Sequence, residues 1–149
     1  MKTVNEPLKV LLVDDDSFVH EMVELLLDKS EFSLTSAENV AAALQVVETD
    51  MPDIVITDAM MPGESGFSLI EKLRANPRTQ QTPIILLTIL MQSDGSVMDA
   101  SGKADISVSK PGYLSDILAG LDKAKQLMTE RRGKIDFMFE SSEPAEFVF

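Results

Sequence analysis

Asp14 and Asp15 follow the apolar run Val10–Val13, and Asp58 follows "DIVIT", Asp53–Thr57. Thr88 closes "PIILLT", Pro83–Thr88, and Lys110 comes just past Ala104–Val108, ahead of Pro111. Short apolar runs that stop abruptly in a carboxylate, a hydroxyl or an ammonium have the form of buried strands with polar ends. If the strands are neighbours, Asp14, Asp15 and Asp58 share one crevice. Two unit charges about 4 Å apart repel by roughly 4 kcal/mol at an effective dielectric near 20, so such a cluster calls for a cation. Oxygen ligands with no His or Cys among them suit Mg²⁺, which commonly joins one or two carboxylates to a phosphate. Asp14–Asp16 also stand where a helix beginning near Ser17 favours anions, but one cap does not need three aspartates. With Thr88 and Lys110 the set contains what an acyl phosphate requires: a carboxylate nucleophile, positive charge against phosphoryl oxygens and a hydroxyl donor.

The elements between these runs are helical. Ser17 can cap a helix carrying Phe18, Met22, Leu25 and Leu26 on one face, and Asn39 one carrying Ala43, Leu44 and Val47. Gly66–Ala75 carries Phe67, Ile70 and Leu73; Leu114–Arg131 carries Ile117, Leu121, Ala124 and Met128, with Arg131 and Arg132 favourable at its end. Phe32–Ser36 is a weaker strand and Met91–Ser101 a weak helix. Five strands alternating with five helices predict a parallel sheet with right-handed crossovers and helices on both faces, which binds ligands beyond the carboxyl ends of its strands. The segment 129–149 breaks the pattern: it holds Phe137, Phe139, Phe147 and Phe149 among Glu140, Glu143 and Glu146 without clear helical periodicity. The division expected is a domain over 1–128, then a helix end and Phe-rich acidic tail or linker over 129–149.

The chain as a whole, 149 residues with 44% hydrophobic, has the size of one domain with one core. A net charge of -12 argues against direct nucleic-acid binding, which draws on Lys and Arg. No apolar run approaches the roughly 20 residues of a membrane span, and Met1–Pro7 lacks the apolar middle of a signal peptide. The absence of cysteine excludes disulfides and thiolate sites and is compatible with a reducing cytoplasm, the expected location. No Gly-rich phosphate loop occurs.

The series "VLLVDDDS", "DIVITDAMMPGESG", "PIILLT" and "SVSKP" closely resembles the receiver domain of response regulators over about residues 8–128. The resemblance implies a flavodoxin-like, doubly wound five-stranded parallel sheet of order 2-1-3-4-5. It implies that Asp58 is the phosphoacceptor, and that Asp14, Asp15, Asp58 and the backbone carbonyl of Met60 hold Mg²⁺. Thr88 and Lys110 would contact the phosphoryl group, and the Lys110–Pro111 bond would be cis. The domain would be a two-component signalling switch, not an enzyme turning over an external substrate. It would take its phosphoryl group from a sensor histidine kinase or phosphotransfer protein and signal to a downstream protein, with a homodimer through the last two helices compatible.

Departures from the family pattern are Ser107 in place of a switch aromatic, Ile89 in place of a small residue after the Thr, and Lys103 in place of Gly. In members that lose phosphate quickly, polar side chains two residues past the phosphoacceptor and two past the Thr hold the attacking water; here these are Met60 and Leu90. Two alternatives stand beside the switch. One is a degenerate receiver acting as an interaction scaffold. The other is a phosphohydrolase similar to the haloacid dehalogenases, with Asp14 as nucleophile and Asp16 as acid/base, which leaves "TDAMMPGESG" unexplained. His20 reads as an ordinary surface residue of its helix, and Met60-Met61 as loop and core packing.

Overall fold

In the computed structural model, residues 6–88, 102–109 and 114–142 are described. Strands β1 (Leu8–Val13), β2 (Phe32–Ala37), β3 (Ile54–Asp58), β4 (Ile84–Thr88) and β5 (Ile106–Ser109) form one parallel sheet of order β2-β1-β3-β4-β5, the order expected. The described helices are α1 (Ser17–Leu26), α2 (Val40–Thr49), α3 (Gly66–Ala75) and α4 (Leu114–Ser142); the expected helix at Met91–Ser101 lies outside the described residues.

The sheet explains its own sequence. All residues of β3 and β4 are buried, as are the last four of β1, because helices cover both faces of a parallel sheet; the edge strands β2 and β5 are mixed. Alternate residues feed two cores. Leu11, Val13, Val55, Ile84 and Leu86 pack against Val40, Ala43 and Val47 of α2 and Leu69, Ile70 and Leu73 of α3. Val10, Leu12, Ile56, Ile85 and Leu87 pack against Val23 of α1 and Ile117, Leu121 and Ala124 of α4.

Asn39 caps α2 through its side chain, accepting from the Ala42 N–H, and Ser65 does the same for α3 at Ser68. Two helices differ from expectation. The cap of α1 is Asp16, which accepts from the Phe18 N–H, not Ser17. The buried face of α1 then falls on Val23 and Leu27, with Val19 packed beside them, while Phe18 is 62% and Leu25 87% exposed. Apolar residues at 18, 19, 22, 23, 25, 26 and 27 contain two overlapping helical stripes, and a one-residue change of phase turns the helix by about 100°. The second difference is that α4 does not end near Arg131. It runs to Ser142, because 129–142 holds good helix formers, one Gly and no Pro, and the first breaker is Pro144.

Arg131 and Arg132 therefore stand inside α4, and tertiary partners hold them. Arg131 donates to both carboxylate oxygens of Asp105 and, at 2.9 Å, to the Gln81 carbonyl; Arg132 donates to Asp53 at 3.0 Å. These contacts tie α4 to the amino-terminal edge of the sheet. Among the described residues no helix is long and apolar enough to cross a membrane.

Candidate functional site

The order of the sheet reverses direction between β1 and β3, and a crevice opens there beyond the carboxyl ends of the strands. Register brings its members together. Val13 pairs with Ala37 and with Thr57, and Asp58 pairs with Leu87, so Asp14 and Asp58 emerge side by side with Thr88 at the end of the next strand. Asp14 and Thr88 are fully buried, Asp58 is 6% exposed and Asp15 faces solvent. Asp14, Asp15 and Asp58 each offer a carboxylate oxygen within 4.8 Å of the others.

The backbone sets the carboxylates. Asp14 donates its N–H to the Ala37 carbonyl at 3.0 Å, and its Oδ1 accepts from the Asp16 N–H at 2.9 Å. Asp58 Oδ1 accepts from the Met60 N–H at 3.3 Å, and the Thr57 hydroxyl donates to the Asp58 carbonyl at 3.0 Å. The loop between β3 and α3 then folds back, with the Gly66 N–H donating to the Ala59 carbonyl at 2.9 Å. A Cβ on Gly66 would lie 1.9 Å from the Asp58 carbonyl oxygen, so only glycine admits this approach.

An all-oxygen set of three carboxylates, two of them buried, fits a hard divalent cation and gives no soft ligand to a thiophilic one. The expected residues Asp14, Asp15, Asp58 and Thr88 thus share one end of the sheet. Lys110 lies outside the described residues, though Ser109 before it pairs with Thr88. Ile89 and Leu90 also lie outside them. Of the methionine pair, Met61 is buried in the core as read, whereas Met60 is 56% exposed beside the site.

Two contributors were not singled out from the sequence. Gly66 was legible only as part of "PGESG". His20, read as an ordinary surface side chain, instead bridges two strand ends: its Nε2 lies 2.6 Å from the Asp14 carbonyl and its Nδ1 2.8 Å from Ser36 Oγ. A lone histidine carries no sequence signal for that role.

Fold and site together define a flavodoxin-like α/β domain with a carboxylate cluster at its topological switch point. The profile of the response regulator receiver domain matches residues 10–122, and the chain belongs to this family. It is 31% identical over 112 residues to the phosphate regulon transcriptional regulatory protein PhoB of Pseudomonas aeruginosa, covering 75% of this chain and 49% of that protein. It is 34% identical over 107 residues to response regulator Rre1 of Synechocystis, covering 71% and 46%. The chain spans about half the length of these relatives. Among solved structures it is similar to a putative response regulator from Chloroflexus aurantiacus, with TM-score 0.67, 30% identity and coverage of 83% and 99%. It is also similar to the chemotaxis response regulator CheY4 of Vibrio cholerae, with TM-score 0.72, 26% identity and coverage of 80% and 99%. Receiver domains are signalling domains, not substrate-turnover enzymes, which removes the phosphohydrolase alternative.

Proposed function

We propose that this domain is a phosphorylation-dependent switch in which Asp58 is the phosphoacceptor. The observation that carries the reading is the approach of the Asp14, Asp15 and Asp58 carboxylates to within 4.8 Å at the carboxyl ends of β1 and β3. Clustering like charges costs stability and needs a cation to offset it. Asp14, Asp15, Asp58 and the Met60 carbonyl would hold Mg²⁺. The ion, when bound, offsets the charge of the carboxylates and of phosphoryl oxygens.

The donor would be a phosphohistidine on a sensor kinase or phosphotransfer protein, and the compartment the cytoplasm. A carboxylate oxygen of Asp58 attacks phosphorus, the O–P bond of an acyl phosphate forms, the N–P bond breaks, and the leaving imidazole nitrogen takes a proton. Thr88 donates its hydroxyl to a phosphoryl oxygen and Lys110 sets an ammonium against another. The output is a contact with a downstream protein. Because Ser107, exposed on β5, has no ring to move between buried and open positions, that contact responds to Asp58 without threonine–aromatic coupling.

Intact-mass measurement after incubation with Mg²⁺ and phosphoramidate tests the reading: wild type gains one phosphoryl group and Asp58→Asn none. An unmodified wild type would favour the interaction scaffold. In thermal melts of the unphosphorylated protein, Mg²⁺ at tenfold excess over its dissociation constant should stabilise by about 1.4 kcal/mol. An unchanged midpoint at millimolar Mg²⁺ would count against an assembled metal site.

A further inference from the structure

The only histidine of the chain sits one turn into α1, partly buried, between the ends of β1 and β2. Its two ring contacts differ in kind. The Asp14 carbonyl, 2.6 Å from Nε2, can only accept, so Nε2 carries the proton and donates it. Ser36 Oγ, 2.8 Å from Nδ1, can donate to that nitrogen in the neutral ring. Asp14 is thereby held on three sides: its N–H by Ala37, its Oδ1 by the Asp16 N–H and its carbonyl by His20. The carbonyl of Asp14 and the N–H of Asp15 belong to one planar peptide unit, so fixing the first orients the main chain that carries the second.

We propose that His20 is a positioning residue for the metal site: through the Asp14 carbonyl it holds the peptide that aims both Asp14 and Asp15 at the ion. The proposal rests on the Mg²⁺ reading above. Groups that orient ligands from behind typically contribute 10–100-fold to metal affinity. The ring nitrogens of His20 meet Ser36 Oγ and the Asp14 main-chain carbonyl, so the effect passes through main-chain geometry and not through charge at the ion.

The two ring nitrogens allow the role to be separated from packing. In His20→Gln the side-chain amide can take the place of Nε2 and still donate to the Asp14 carbonyl; in His20→Asn it takes the place of Nδ1, reaching Ser36 alone. Titration calorimetry with MgCl₂ on the full chain, with melts in the absence of metal to verify folding, compares wild type, His20→Gln, His20→Asn and His20→Ala. The expected result is wild-type affinity in His20→Gln and a loss of about tenfold in His20→Asn and His20→Ala. Equal affinities in His20→Gln and His20→Asn, whether both retained or both lost, would overturn the positioning role. A wild type that takes up no Mg²⁺ would instead overturn the metal reading on which that role depends.

Discussion

The two edges of the sheet handle acidic residues in opposite ways. At the amino-terminal edge Asp105, Asp53 and Asp50 each meet a cation brought from a distant part of the chain. Asp105 accepts from Arg74 at 2.8 Å, from Arg131 and from the Ile84 N–H at 2.9 Å; Arg132 reaches Asp53, and Lys9 reaches Asp50. Arg74 also donates to the carbonyls of Thr82, Gln80 and Lys103. Burial pulls its guanidinium below the ordinary value, and Asp105 acts against that pull. At the carboxyl-terminal edge, acid is set beside acid: Asp14 and Asp58, both buried, with Asp15. One edge is compensated within the fold and holds it together. The other gathers three carboxylates where an open α/β sheet has its binding crevice.

The largest effect should come from the compensated edge. Asp105→Ala leaves Arg74 and Arg131, both partly buried, without their shared carboxylate, and frees the Ile84 N–H. Removing one partner of such a network costs about 3 kcal/mol, read as a lower urea midpoint. Phosphoryl uptake measured well below the transition should be unchanged. A loss of uptake in a folded variant would mean that the two edges are coupled and the contrast between them too simple.

Next is Gly66→Ala, which acts on the other edge. The added methyl meets the Asp58 carbonyl at 1.9 Å, and because the obstacle is backbone, the β3–α3 loop must move. We expect a loss of about 2 kcal/mol in denaturant melts, as for an overpacked core position, together with slower phosphoryl uptake. Normal uptake in a destabilised protein would show that the loop can shift without disturbing Asp58.

This contrast was only half visible in the sequence. The strands of the acidic edge were legible because a buried parallel strand must be a continuous apolar run, and "LLVDD" and "VITD" mark where burial stops. The basic edge was not. Arg131 and Asp105 lie 26 residues apart and Arg132 and Asp53 lie 79 apart, so no local pattern joins them; placed near a supposed helix end, the two arginines looked like charges favourable to its dipole. The phase of α1 was ambiguous for a related reason. Its sequence offers two apolar stripes, and tertiary packing with the Asp16 cap selects one. His20 could be placed only once the phase of α1 was fixed, which turns its ring to the ends of β1 and β2.

Asp58→Asn sharpens the comparison by relieving the crowded edge. Without metal the variant should be more stable than wild type by about 1 kcal/mol, since one of three adjacent charges is gone. With saturating Mg²⁺ the order should narrow or reverse, because the variant has lost a ligand. Paired thermal melts decide it. A variant less stable than wild type in the absence of metal would show that Asp58 contributes more through its contacts than it costs in repulsion.

The smallest effect expected concerns how long the acidic edge keeps its phosphoryl group. Hydrolysis of an acyl phosphate on Asp58 needs a water aligned with phosphorus opposite the Asp58 oxygen, and such alignment supplies much of phosphoryl-transfer catalysis. Met60, two residues past Asp58, is 56% exposed next to the site. A thioether sulfur is a weak acceptor and no donor, so it orients water poorly. Leu90, outside the described residues, offers no hydrogen bond either. Phospho-Asp58 should therefore decay slowly. Met60→Asn, which supplies both a donor and an acceptor, should accelerate decay about fivefold, equivalent to about 1 kcal/mol of barrier, and adding Leu90→Glu should accelerate it further. The measurement is the loss of the phosphoryl mass after donor removal. Decay within seconds in wild type, or no acceleration in the double variant, would show that these two positions do not govern the lifetime.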